Sequence, residues 1–442
     1  MGNFIRSMMD ALASGSAEGV SIGFFDLSFL IFVISTIGYL LYLMKRTNGP
    51  WIVGFGALAV GCVTMTVALI VRWIAAGIDH PPWTNLYESL VFFSWGMVVS
   101  YGVMEMKYRV KIVGAFVVPL VMIAMGMASL SGNKEITPLM PALKSVWLHF
   151  HVFGAAISYS LFIVAFAFAV LYLYRDNLAL PFFHAASSVA NILALVAVTK
   201  GQVFMMRYPL TKSVFMNGKW YKDMVPGSDP PIWIDMELPG LGAFAFVVFV
   251  LFAVSAAIAF AKRDDATDKG KRFVFAAHLF PTILLTIVVG QILYQSGRFP
   301  DFTISNNVYS FALVATTWFF SLTVLILHSA KSAIVEHLPK PKDLDNIAYK
   351  AIIVAFPLLS FVIISGAIWA NNAWGRYWGW DPKETASLVT WVVYLLYLHT
   401  RVTKGWVGRK TAYIAIIGFA SVVFTYLGVN LVLSGLHSYA TG

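Results

Sequence analysis

One cysteine, Cys62, stands among 442 residues, and it lies inside an apolar run. That single count excludes a disulfide framework, a CxxC redox pair, a cysteine zinc site and a CxxCH attachment motif. Charge is scarce as well. Only 12% of residues are Asp, Glu, Lys or Arg, about half of the roughly 25% usual in soluble domains, while 59% are hydrophobic and 15% aromatic. A soluble globular enzyme is thereby excluded. The chain also lacks a tandem repeat, a low-complexity tract and any polar stretch long enough for a soluble domain. Its formal charge of +10 implies no nucleic acid, because in a membrane protein the charge must first be apportioned between two faces.

What is present is a succession of apolar runs of roughly 20 residues, each able to cross a hydrocarbon core about 30 Å thick as a helix. The runs are continuous rather than alternating, which favours helices over a closed β-barrel. The sequence predicts an all-α polytopic integral membrane protein of about twelve transmembrane helices, at 24–44, 52–74, 86–105, 111–131, 146–174, 184–204, 240–261, 273–294, 308–330, 348–370, 385–402 and 410–432. With the amino terminus outside, the inner loops carry 19 of the 31 Lys and Arg, and five of the remaining 12 fall within 200–222. The positive-inside rule then places both termini on the outer side. The residues before the first span hold Asp10 and Glu18 but no basic start or small-residue cleavage site, so no removable signal peptide is expected. Segment 205–239 is rich in Pro, Gly and Asp and reads as an outer loop.

Between the tenth and eleventh spans runs WANNAWGRYWGWDPKETASLVTW, which gathers Trp369, Trp374, Tyr377, Trp378 and Trp380 on the outer side. An interfacial aromatic belt explains one or two rings per helix end. A run of rings broken by Gly375 and Gly379 suits instead a flat surface for a large planar ligand, a macrocycle or quinone, with backbone able to approach closely. Asp381, Pro382 and Glu384 form a helix-start signature, and capping is favoured over proton transfer for the two carboxylates. Asn85 and Glu88, three apart in HPPWTNLYESLVFFSW, mark a similar start.

Of nine histidines, three occupy unusual places. His151 lies five residues into the fifth span, about 8 Å below its outer start, and His437 follows the last span on the same side, in SGLHSYATG. Two neutral imidazoles at similar depth suit the axial positions of one haem iron, although a histidine near a span end is more often an interfacial hydrogen-bonding residue. His399, 15 residues beyond Glu384, lies roughly 22 Å deeper and suits a second, inner site. His278, inside the eighth span, is a reserve candidate. His149 points to another face than His151, and His328 and His337 fall to an inner loop.

Together these motifs resemble the CcsA (ResC) family of system II cytochrome c biogenesis proteins, haem-handling membrane proteins with a tryptophan-rich WWD domain. The resemblance is carried by the segment from Leu344 to the end, with LDNIAYK, WGWDPKETASLVTW, VYLLYLHTR and SGLHSY. TNLYESLVFFSW and the WLHFH start of the fifth span also contribute, and the whole covers about 60% of the chain. It implies that the WWD loop, with Trp374, Trp378, Trp380 and Asp381, holds haem b non-covalently on the outer face of a bacterial inner membrane. The iron's axial ligands would be His151 and His437. His399 would act at an inner haem position together with a histidine of the partner CcsB (ResB). The implied activity is that of a cytochrome c synthase or haem lyase, acting in complex with CcsB: haem is carried outward, presented, and attached to the CxxCH cysteines of an apocytochrome c. A separate thiol-reduction system must keep those cysteines reduced, since this chain has no redox motif.

Two departures stand out. Residues 176–343 separate the amino-terminal part, 1–175, from the WWD part, 344–442, where the resemblance leads one to expect a short connection. These residues would substitute for partner contacts, form a further partner site, or supply an inner histidine through His184 or His278. Ala386 stands where a further tryptophan commonly follows WDPKET. Three rival readings are a haem transporter or chaperone without attachment activity, a quinone-linked energy-coupling subunit, and a haem lyase of the CcmF/NrfE type. The uninterrupted WDPKET, WLxxH and TNLYES motifs favour CcsA.

Overall fold

The computed structural model describes residues 2–45, 47–77, 80–130, 134–136, 144–175, 179–211, 213–216, 219–222, 225–228, 235–237, 240–265, 267–298, 308–336 and 338–429. The chain runs through α1 (Gly2–Ala13), α2 (Ala17–Lys45), α3 (Asn48–Ala76), α4 (Leu86–Tyr108), α5 (Gly114–Leu130) and α6 (Val146–Arg175). It continues through α7 (Ala179–Val198), α8 (Leu241–Ala261), α9 (Asp268–Arg298), α10 (Val308–Ser329) and the short α11 (Lys331–Val335), then α12 (Pro341–Trp374), α13 (Pro382–Lys404) and α14 (Arg409–Val423). Two units result: Met1–Leu173 with Leu338–Gly442, and Tyr174–His337.

The all-α expectation holds. Each of the twelve expected spans falls on a helix, and nine helices of the described residues are long and apolar enough to cross a membrane by themselves. The other three are α10, α13 and α14. The departure from helix lies in 205–239, where β1 (Pro209–Thr211) pairs with β4 (Asp235–Glu237), and β2 (Ser213–Met216) with β3 (Lys219–Lys222), all antiparallel. Before the first span, α1 buries Met8, and its Leu12 occupies the space over Gly23 of α2.

In the first unit, α2 and α3 form a close hairpin. A Cβ on Gly38 would fall 2.5 Å from the backbone nitrogen of Gly54, so paired small residues let the two backbones meet, as membrane helices do where apolar burial gives no drive. Polar groups inside the bundle are tied across helices. Tyr39 Oη and Trp51 Nε1 donate to the two carboxylate oxygens of Glu105 at 2.5 and 2.7 Å. At the same end, Arg401 of α13 donates through both Nη atoms to Asp345 of α12 at 2.9 and 2.8 Å, and Thr411 Oγ1 of α14 adds a third bond to that carboxylate. This bidentate pair fixes the last three helices relative to one another.

The second unit packs α7, α8, α9 and α10 around Leu195, Val248, Phe252, Leu285, Val288 and Val314. A polar seam runs down the inward face of α7 at helical spacing. His184 Nε2 lies 2.8 Å from Nδ1 of His328, Ser187 bonds Ser321 at 2.8 Å, Ser188 bonds His278 at 3.0 Å, and Asn191 Nδ2 donates to Ser321 at 2.7 Å. His328 therefore belongs to helix α10 and to this seam, not to an inner loop. His184 and His278 are fully buried, which costs little only where such groups find partners.

Candidate functional site

At the end of the first unit opposite the Arg401–Asp345 pair lies a cavity of about 1170 Å³, open mouth included. The start of α4 contributes Trp83, Ser89 and Phe93, α6 contributes His151 and Tyr159, and the end of α12 contributes Gly366 and Trp369. Tyr377, Trp378 and Lys383 come from the tryptophan-rich loop and the first turn of α13, and Thr425 and Tyr426 from the turn that follows α14. That turn is a π-helical segment, Phe424–Gly428, a local widening often found at functional sites.

Among the described residues, His151 is the one imidazole in the cavity lining. Its Nδ1 lies 2.8 Å from the carbonyl oxygen of Val362. A carbonyl only accepts, so Nδ1 carries the hydrogen, and in the neutral ring the lone pair resides on Nε2. This is the arrangement by which a metal-binding histidine is oriented through its other nitrogen. The ring sits 6.0 Å from that of Trp369. A Cβ on Gly366 would come within 2.8 Å of two ring atoms of His151, so the small residue in ISGAIW gives the imidazole its place.

Two helix starts build the rim. Asn85 Oδ1 accepts from the Glu88 backbone N–H at 2.8 Å, and Glu88 Oε2 accepts from the backbone N–H and hydroxyl of Thr84 at 2.8 and 2.9 Å. The other oxygen of Glu88 accepts from Arg72 Nε at 2.8 Å, with both side chains buried. Arg72 Nη2 reaches the carbonyl of Lys134, and the guanidinium lies 5.1 Å from the centre of the Tyr87 ring. A buried ion pair thus holds Trp83, Thr84 and Asn85 in the wall. At α13, Asp381 Oδ1 accepts from Lys383 N at 3.0 Å, while Glu384 Oε2 accepts from Gly379 N and Asp381 N at 2.7 and 3.1 Å. This is a capping box, the role the sequence favoured for these carboxylates.

The expected site residues are distributed as follows. His151 and Trp378 share the cavity. Trp374 closes α12 and turns its ring to Trp369 at 5.1 Å, outside the lining. Trp380 is 69% exposed, its ring at 87° to that of Trp378 and its backbone left-handed at φ 56°. Asp381 is buried under the cap. His399 is exposed on α13 near the far end of the unit, and Thr403 donates to its backbone carbonyl. His437 lies outside the described residues. Trp369, a member of the run of rings, lines the cavity, while Trp83, Tyr159 and Tyr426 are cavity residues that motif reading passed over, although Leu148, His151, Ala155 and Tyr159 recur on one face of α6 at helical spacing.

Lys383, ahead of the span 385–402, is half-buried in the lining. Burial pushes its ammonium down to about 8, against the attraction of Asp381, which raises it. Among the described residues no three His, Cys, Asp or Glu side chains are grouped to hold a metal ion by themselves.

Comparison with known proteins adds a family. The family model described as cytochrome C assembly protein matches residues 83–222 and 238–437, a range that takes in His151, His399, His437 and the whole tryptophan-rich loop. It also enters 176–343 from both sides, the segment that the motifs leave outside the resemblance. The chain is similar to the cytochrome c biogenesis protein CcsA of Guillardia theta, at 31% identity over 418 residues and 94% of each chain. It resembles the protein of the same description from Synechocystis sp. at 31% over 417 residues, 93% of this chain and 95% of the other. The likeness to that of Marchantia polymorpha is 29% over 414 residues, 93% and 94%.

Proposed function

The chain belongs to the cytochrome c assembly protein family, integral membrane proteins that act in cytochrome c maturation, and from that premise we propose that its cavity presents haem for attachment to an apocytochrome. The observation that carries this reading is His151, whose Nδ1–H is held by the Val362 carbonyl in the wall of a cavity to which Trp83, Trp369, Trp378, Tyr159, Tyr426 and Phe93 contribute rings. Aromatic walls suit a macrocycle that packs through its faces, and an imidazole oriented through Nδ1 suits iron at Nε2. The residues present fit the group. His437, at the carboxyl-terminal edge of the family match, is the second axial ligand in this reading.

The protein's part is positioning. The rings of Trp83, Trp369 and Trp378 would hold the porphyrin, His151 its iron, and the two capped helix starts would keep the walls in register without ligand. Each thioether forms by addition of a substrate S–H across a vinyl double bond, with no net oxidation. The thiols come from the CxxCH of the apocytochrome c, since Cys62 is this chain's one cysteine. A thiol-reduction system keeps them reduced, and a CcsB-type membrane protein completes the synthase, with His399 on the exposed face of α13 at the inner haem position. Lys45, Lys107, Lys111, Lys350, Arg401 and Lys410 gather at the end away from the cavity, which under the positive-inside rule supports a cytoplasmic position for that end. The cavity then opens to the outer side of a bacterial inner membrane.

The alternative is a haem transporter or chaperone that leaves attachment to other proteins. The deciding measurement is an optical spectrum of the detergent-purified chain, as isolated and after dithionite, with haem counted by pyridine haemochrome. About one non-covalent low-spin haem per chain is expected. No Soret band with haem supplied during expression would sink resident haem at His151. Covalent haem on an apocytochrome, produced only when this chain and CcsB are both present, would separate synthase from transporter.

A further inference from the structure

The haem reading leaves three histidines of the second unit without a task. His184 of α7 stands between His278 of α9 and His328 of α10, with ring centres 4.9 Å and 5.0 Å away. Phe252 packs on His278 at 5.8 Å and Phe275 on His328 at 5.0 Å. His184 and His278 are fully buried, and Nδ1 of the first and Nε2 of the second have no hydrogen-bond partner. A buried polar nitrogen left unpaired is unfavourable, and two on adjacent rings are unusual in a native interior.

The other nitrogen of each ring indicates the kind of ligand. The Ser188 hydroxyl gives its hydrogen to Ser255 at 3.1 Å, so Ser188 Oγ accepts from His278 Nδ1–H at 3.0 Å and the lone pair of His278 lies on the unpartnered Nε2. His184 Nε2 and His328 Nδ1, 2.8 Å apart, share one hydrogen. With that hydrogen on His184 Nε2, the lone pair of His184 lies on the unpartnered Nδ1. Each ring is then oriented through its other N–H by an acceptor, as metal-ligating histidines are. Two neutral lone pairs are on offer, and among the described residues no set of three His, Cys, Asp or Glu is grouped to hold an ion. Zn(II) takes four ligands, and its double charge would enter a buried place that has no carboxylate, where charge is costly. Cu(I) suits imidazole, is satisfied by two or three ligands and brings one charge. Two rings on one ion stand with centres about 5–6 Å apart at metal–nitrogen bonds of roughly 2 Å, and the observed 4.9 Å lies at the near end of that range.

We propose that His184 and His278 form a two-imidazole site for Cu(I) between α7 and α9, with His328 and Ser188 as the residues that position the two rings. The site is independent of the haem reading and shares no residue with the cavity. His328 is half-buried and stands one residue before the end of α10, so the site lies near one end of the unit. Its ligands are packed among phenyl rings, which suits an ion that is held, tying α7 to α9, over one that turns over substrate.

The test titrates Cu(I) into the purified full chain, stripped of metal and kept reduced, against the coloured competitor bicinchoninate. One Cu(I) per chain is expected at a site that survives His151→Ala and Cys62→Ser. His184→Ala and His278→Ala should each weaken it by at least the roughly tenfold to hundredfold that loss of a positioning partner costs. His328→Ala should fall within that range, and His328→Asn, whose side-chain carbonyl accepts the same hydrogen, should recover part of the loss. X-ray absorption at the copper edge of the unaltered chain, which depends on no variant folding, should show imidazole nitrogen and no sulfur. Failure of the unaltered chain to hold Cu(I) against the competitor overturns the site. So does binding that persists in both His184→Ala and His278→Ala, or a copper shell containing sulfur, which would place the ion at Cys62 or a methionine. None of these outcomes bears on haem in the first unit.

Discussion

His151→Ala, at unchanged protein level, is expected to abolish cytochrome c maturation and to convert the bound haem from a low-spin to a high-spin spectrum or remove it. The expected loss is at least the roughly 10–100-fold that accompanies loss of a mere hydrogen-bond partner of a metal ligand. The argument is geometric. His151 is the one imidazole of the lining among the described residues, and the Val362 carbonyl determines which nitrogen faces a ligand. Imidazole added to the medium should restore part of the low-spin signal, because the cavity left by the side chain admits it. Gly366→Ala offers an independent check, since its Cβ would fall 2.8 Å from the His151 ring, below any normal carbon contact. It should weaken haem retention by displacing the His151 ring while the imidazole itself is still present. Normal maturation in His151→Ala would remove this residue from the axial position.

The largest stability effect is expected at Glu88. Its carboxylate is 1% exposed and paired with Arg72, itself 3% exposed. Glu88→Ala leaves a buried guanidinium without its counter-charge, a change that costs about 3–5 kcal/mol. It also releases the backbone and hydroxyl of Thr84. The apparent Tm, followed by tryptophan fluorescence in detergent, should drop by many degrees. The double change Arg72→Met with Glu88→Leu replaces both charges by apolar groups of similar reach and should recover most of the loss, since buried pairs are often neutral against well-packed apolar substitutes. Haem retention should not recover with it, because nothing then holds Thr84 and the adjoining Trp83 in the wall. If Glu88→Ala unfolds like the unaltered chain, the ion pair contributes little and the rim has another source of rigidity.

Both helix starts at the rim were legible in the sequence because caps are local: Asn85 with Glu88 and Asp381 with Glu384 stand three residues apart on one strand of chain, and the spacing carries the chemistry. The twelve spans were legible for the same kind of reason, since length and hydropathy are properties of a window. What the window does not contain is the partner. Arg72 reads as a charge inside an apolar run until α3 is laid beside α4. His328, two residues from the end of the expected span 308–330, reads as belonging to the inner loop until α10 is set against His184 of α7. The cavity follows the same division. Trp378 belongs to a conspicuous run of rings, whereas Trp83, Tyr159 and Tyr426 come from three separated segments, each with an ordinary aromatic residue. Even within the run, sequence treats Trp374, Trp378 and Trp380 alike. The αL turn at Gly375, which ends α12, and the cap at Asp381 decide which of them faces the cavity.

The left-handed backbone of Trp380 carries an evolutionary consequence. A side chain with a Cβ in that region costs about 1–2 kcal/mol, and glycine, asparagine or aspartate occupies it with less strain. Selection for robustness alone would drift toward glycine at this position, immediately before a cap that any of these residues would serve. A bulky, 69% exposed indole in its place is a standing load on the fold. A library screened only for survival on heating would shed it, and would thereby separate, at one codon, what makes the protein durable from what it is kept for.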